Sequence, residues 1–63
     1  MKITSDMPEA ERKRYKLVRT DSLADVPGPI VTADEMTGEC TVVVAGEHKQ
    51  YNLGPRGIRI IPR

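Results

Sequence analysis

Apolar and polar positions change places quickly along this chain, in bursts of four to six residues. No stretch sustains the i, i+3, i+4 recurrence of a long amphipathic helix. Between Tyr15 and Val18, Tyr15 and Leu17 alternate with Lys16 and Val18, and four further bursts follow as "PIVTA", "CTVVV", "KQYNL" and "IRII". They are rich in β-branched and aromatic residues and too short for ordinary helices. Turn residues part them: "VPGP" at Val26–Pro29, "TG" at Thr37–Gly38, "AG" at Ala45–Gly46 and "GPRG" at Gly54–Gly57. The pattern predicts an all-β, mainly antiparallel domain, a small meander of four to five strands.

The best-defined piece surrounds Gly46. A two-residue turn at Gly46–Glu47 places Ala45 opposite His48, Val42 opposite Tyr51 and Cys40 opposite Leu53. Cys40, Val42, Tyr51 and Leu53 then share one buried face. A register slip of two residues preserves that face, whereas a slip of one reverses it. Upstream, "EMTG" suits a three-residue hairpin loop with glycine in the left-handed region, which brings Val31 and Ala33 onto the same apolar face.

Residues 1–14 read as an N-terminal arm ahead of a single domain over 15–63. "SDMPEAERKR" carries helix-start chemistry in Ser5 or Asp6, Pro8, Glu9 and Glu11. Its apolar spacing, Met7 and Ala10 and then nothing until Tyr15, is poor for an amphipathic helix. One short helical turn and a disordered tail are the two alternatives.

The length of 63 residues admits one domain, and such a domain buries only about 60% of the surface its unfolded chain exposes. Disulfides, a metal or a partner subunit commonly reinforce chains of this size. One cysteine, Cys40, and one histidine, His48, supply neither an internal disulfide nor a structural zinc set, so a partner subunit is the reinforcement that remains. The unpaired thiol and the lack of a long apolar run or leader-like segment place the protein in a reducing compartment, the cytoplasm, with no membrane contact.

The net charge of +1 conceals a block pattern. Residues 1–20 carry +3, Asp21–Glu47 carry −6 with no Lys or Arg, and His48–Arg63 carry +4. The run "ERKRYKLVRT" at Glu11–Thr20 concentrates Arg12, Lys13, Arg14, Lys16 and Arg19 around Tyr15, and Arg56, Arg59 and Arg63 lie in the C-terminal segment. These eight cations are the candidate polyanion-binding residues, since single-strand binders combine charge with stacking. The opposing expectation is that the run lies against the acidic middle of the chain. Only two aromatic residues are present, both tyrosine.

Catalytic chemistry finds no footing. In the proposed hairpin Cys40 and His48 stand about 16 Å apart at about 3.3 Å per residue, too far for a nucleophilic dyad. Asp34, Glu35 and Glu39 gather at one turn, but their spacing matches no calcium loop, and a solvated hairpin tip is expected. "GPRG" lacks the Lys and Ser/Thr of a phosphate-binding loop. No catalytic, metal or cofactor residue is therefore assigned, and the chain is not read as an enzyme.

Two segments break strict alternation. Val42 and Val44 face one way while Val43 faces the other, and Ile61 lies opposite Ile58 and Ile60. Strands apolar on both faces are normally covered on both, so Val43 and Ile61 are candidate contacts of a homodimer. The order of pieces resembles that of SH3-like small barrels, a partly open barrel over residues 15–61; the resemblance is architectural, carries no motif and implies no ligand. The sequence reading is a homodimeric protein-interaction or accessory module with an unidentified protein partner, the alternative being a nucleic-acid-binding adaptor that uses the basic ends.

Overall fold

The computed structural model describes all 63 residues and contains seven strands and one helical turn: β1 (Lys2–Ile3), α1 (Glu9–Arg12), β2 (Tyr15–Arg19), β3 (Asp25–Val26), β4 (Ile30–Asp34), β5 (Glu39–Val44), β6 (Glu47–Asn52) and β7 (Ile58–Pro62). All ladders are antiparallel. They form a four-stranded sheet, β1-β4-β5-β6, and a three-stranded sheet, β3-β2-β7. The five apolar bursts coincide with β2, β4, β5, β6 and β7. No helix is long and apolar enough to cross a membrane.

Both sheets feed one core. Ile3, Ile30, Ala33, Cys40 and Val42 enter from the first sheet, and Leu17, Ile58 and Ile60 from the second. The sheets do not close into a barrel. Where a barrel would continue beyond β7, the Ile60 N–H donates to Glu35 Oε2 at 2.8 Å, so a side chain takes the place of a neighbouring strand. Residues 1–14 are built into this framework, because Ile3 is 1% exposed and β1 pairs with the end of β4 through Lys2↔Asp34 and Ile3↔Ala33.

The β5–β6 hairpin differs from expectation by two residues. Its turn is Ala45–Gly46, with φ of 53° and 78°, and the pairs are Val44↔Glu47, Val43↔His48, Val42↔Lys49 and Cys40↔Tyr51. Positive φ at both central positions is the type I′ geometry whose twist suits a hairpin, and Ala45 bears the strain that makes it hard to foresee. The shared face survives the shift, but not its burial. Cys40 and Val42 are buried, Leu53 is half-buried and Tyr51 is 39% exposed. Every residue of β6 is exposed, so this strand lies beyond the cover that the second sheet provides.

A second difference lies in β4. A bulge between Ile30 and Thr32 turns Ile30 toward the core together with Ala33 and leaves Val31 half-buried. The acidic turn that follows is tightly built. Gly38 has φ of 79° and packs so closely on the Gly54 backbone that a side-chain carbon would lie 1.8 Å from the Gly54 carbonyl oxygen. The Leu53 N–H donates to the Gly38 carbonyl at 3.0 Å across the same contact.

Candidate polyanion face

The β2–β7 register decides where the cations lie. Tyr15↔Pro62, Leu17↔Ile60 and Arg19↔Ile58 share one face, and Lys16↔Ile61 and Val18↔Arg59 share the other. The ladder runs on by one step, since the Arg63 N–H donates to the Arg14 carbonyl at 2.9 Å. Alternation therefore places Arg14 and Arg63 on the face of Lys16, Ile61 and Arg59, the face opposite the buried Leu17 and Ile60. Four cations from the two ends of the chain surround Ile61 and Val18. That clustering is invisible in sequence because it depends on a pairing across some forty positions.

Few of these charges are neutralised. Lys16 pairs with Asp25 at 3.7 Å, Arg19 with Asp21 at 3.6 Å and Lys13 with Glu9 at 3.6 Å. Arg12, Arg14, Arg56, Arg59 and Arg63 make no ion pair. The expectation that the basic run lies against the acidic middle thus applies to Lys16 and Arg19 only. Arg12, Lys13 and Arg14 make no ion pair with a carboxylate of that segment, although Arg12 lies against the Val31 backbone.

At the Arg14–Arg63 end, a groove of about 430 Å³ opens between the two sheets, lined by Arg12, Lys13, Arg63, Tyr15, Pro29 and Ile30 among others. Arg12 Nη1 reaches the Val31 carbonyl only at 3.5 Å, and its buried Nε has no partner. A guanidinium normally spends its five donors in a fixed fork, and here part of that fork is unspent beside open space. Tyr15 is half-buried at the same groove, one aromatic edge among three cations. At the other end, Arg56 is exposed at φ 60°, its peptide held by the Thr20 hydroxyl donating to its carbonyl at 2.7 Å and by its own N–H donating to the Glu35 carbonyl at 2.9 Å.

Glu35 is the carboxylate that the sequence undervalues. The terminal amine of Met1 donates to Oε1 at 2.7 Å, and the Ile60 N–H donates to Oε2. The amine, the Ile60 N–H and the nearby Arg59 charge hold its pKa below the ordinary value, outweighing the opposing effect of burial. It is thus a clasp between the two sheets, and only Asp34 and Glu39 belong to a hairpin tip, with Asp34 Oδ1 accepting from the Met36 N–H. Cys40 is buried, and that burial pushes its thiol pKa up, against a smaller opposing effect of the Tyr51 backbone. His48 lies three residues from Tyr51, the partner of Cys40, and on the opposite face, so the two never meet.

The candidate dimer contacts are not brought together. Val43 lies on β5 of the first sheet and Ile61 on β7 of the second, each half-buried and alternating with core residues. Ile61 belongs instead to the middle of the basic face. No family model, no curated protein and no solved structure matches this chain.

Proposed function

We propose that the protein is a non-enzymatic binding module for single-stranded nucleic acid, which it engages with the outer face of the β3-β2-β7 sheet and the adjoining groove. One observation carries this reading: the β2–β7 register gathers Arg14, Lys16, Arg59 and Arg63 on a single face, and of these only Lys16 makes an ion pair. Like charges on directly opposed positions oppose folding, so an unneutralised Arg14–Arg63 pair makes sense where a polyanion supplies the missing charge. Arg59 and Arg63 are four residues apart along one strand, about 13 Å at about 3.3 Å per residue, which suits a chain with several phosphates better than an isolated one. Tyr15 and Pro29 at the groove offer a surface against which one base can stack.

The test is fluorescence anisotropy of a labelled oligothymidylate against salt. With four phosphate contacts, the slope of log affinity against log salt is expected near −3, at about 0.7 per contact for single strands. Combined substitution of Arg14, Arg59 and Arg63 by Gln should flatten it to roughly a quarter of that value while the thermal transition persists. Absence of binding at low salt, or a slope indifferent to the triple change, rejects the proposal. A protein-interaction role is the second reading, and the exposure of all of β6 favours it.

A further inference from the structure

β6 is an open edge with a readable polarity. The type I′ turn makes Val44 and Glu47 the first pair to exchange both backbone hydrogen bonds, and such pairs recur at every second position, Val42 with Lys49 and Cys40 with Tyr51. The bonds of neighbouring residues agree: the Val43 N–H turns the other way to the Pro29 carbonyl at 3.0 Å, and the Leu53 N–H bonds the Gly38 carbonyl. The N–H and C=O groups of His48, Gln50 and Asn52 therefore point away from β5, where no strand pairs with them. Tyr51, one of the few exposed large hydrophobic residues, lies among them.

We infer that this edge pairs with β6 of a second copy of the chain, antiparallel about a two-fold axis through Gln50. This goes beyond the nucleic-acid reading and does not depend on it; it names the partner for the interaction reading. The register follows by elimination. Only the outward groups of His48, Gln50 and Asn52 are free to bond, so the two strands must be offset by whole two-residue steps. Centring the axis on Gln50 forms three fully bonded pairs, Gln50 with Gln50 and His48 with Asn52 twice. It also sets each Lys49 opposite the other copy's Tyr51, a cation beside an aromatic face. One step toward the turn sets Lys49 against Lys49 and loses a bonded pair, since like charges directly opposed repel. One step the other way also loses a bonded pair and sets Tyr51 against Tyr51. The strand is self-complementary in one register, and in that register the exposed Tyr51 ring is covered. The Lys49 charge, already 3.2 Å from Glu47 on its own strand, is not left facing a like charge. The dimer so formed has one continuous eight-stranded sheet, and each copy's β3-β2-β7 sheet keeps its own basic face.

Sedimentation equilibrium of the full chain should give the mass of two chains at high concentration and shift toward one on hundredfold dilution. Amide exchange should show the His48, Gln50 and Asn52 N–H groups protected only at high concentration, with Lys49 and Tyr51 protected throughout. Gln50→Pro removes an outward N–H without touching the β5 ladder, a place where an edge strand tolerates proline. Its expected state is a folded monomer. Tyr51→Lys puts Lys49 opposite a lysine without altering the backbone, and it should give the same result if the proline variant fails to fold. A single-chain mass at every concentration, or a dimer that survives Tyr51→Lys, overturns the inference. Because anisotropy with oligothymidylate reads the other sheet, nucleic-acid binding by a monomer would leave the functional proposal standing while this one falls.

Discussion

Arg14 and Arg63 face one another across the last step of the β2–β7 ladder, joined by the 2.9 Å bond from the Arg63 N–H to the Arg14 carbonyl, with neither side chain in an ion pair. A stable protein with no use for that repulsion would place an acid at one of the two positions. Arg14→Glu should therefore raise the stability of the free protein, by a few tenths to about 1 kcal/mol. The same change should weaken oligothymidylate binding and flatten its salt slope by more than the neutral Arg14→Gln does. A gain in melting temperature that disappears in high salt, together with the loss in affinity, is the expected signature.

Glu35 makes the fold sensitive to acid. Its folded pKa is depressed below the ordinary value near 4.5, so the stability it contributes is complete above that value and is lost as pH falls through the lower folded one. Glu35→Gln should cost about 1 to 3 kcal/mol at neutral pH, the usual range for a charged hydrogen-bonding partner. As pH falls through that lowered folded value the variant and the parent should converge. Urea midpoints across that range check it.

Val42 is wholly buried at the centre of β5, where Ile30 on one side and Lys49 on the other are its strand partners. Val42→Asp strands a charge in the core, which a domain of this size does not survive. Loss of the cooperative thermal transition is expected. A preserved transition would reject the placement of β5.

Gly38→Ala should be nearly as severe, by about 2 kcal/mol or more, because it meets both the positive φ and the Gly54 carbonyl oxygen. Gly46 shares a similar φ of 78° but has no heavy atom near it, so Gly46→Ala should cost only the backbone term, about 1 kcal/mol. The difference between the two midpoints in denaturant measures the close contact alone.

Local pattern was enough to locate the long strands, because alternation and β-branching act within a few residues of each other. The two-residue strands β1 and β3 were not legible: a ladder of two pairs has too few residues to show a period, and Ile3 stands apart from any other core residue in sequence. The hairpin register failed at Ala45, where an alanine adopts a conformation that the residue type discourages. The cations themselves were visible in the sequence, and their arrangement was not: Arg19 falls on the opposite face from Lys16. Arg14, Lys16, Arg59 and Arg63 become neighbours only through the long-range pairing of β2 with β7, and Arg12 lines the adjoining groove with Lys13 and Arg63. Glu35 was masked by its position in a polar turn, since its partners, the Met1 amine and the Ile60 N–H, lie 34 and 25 residues away.

The pairing of β2 with β7 also sets the order in which the molecule can be made. β2 takes its partners from β3, close by, and from β7, whose first residue lies 39 positions after the last of β2. The β4-β5-β6 meander pairs with its sequence neighbours and with β1, all of them made before β7, whereas Leu17 stays without Ile58 and Ile60 until β7 has been added. Until β7 is added the core thus lacks Ile58 and Ile60, and β2 has only β3 as a partner. Such non-local closure is slow among small domains, and during that interval the edge of β2 that β7 will take stays open.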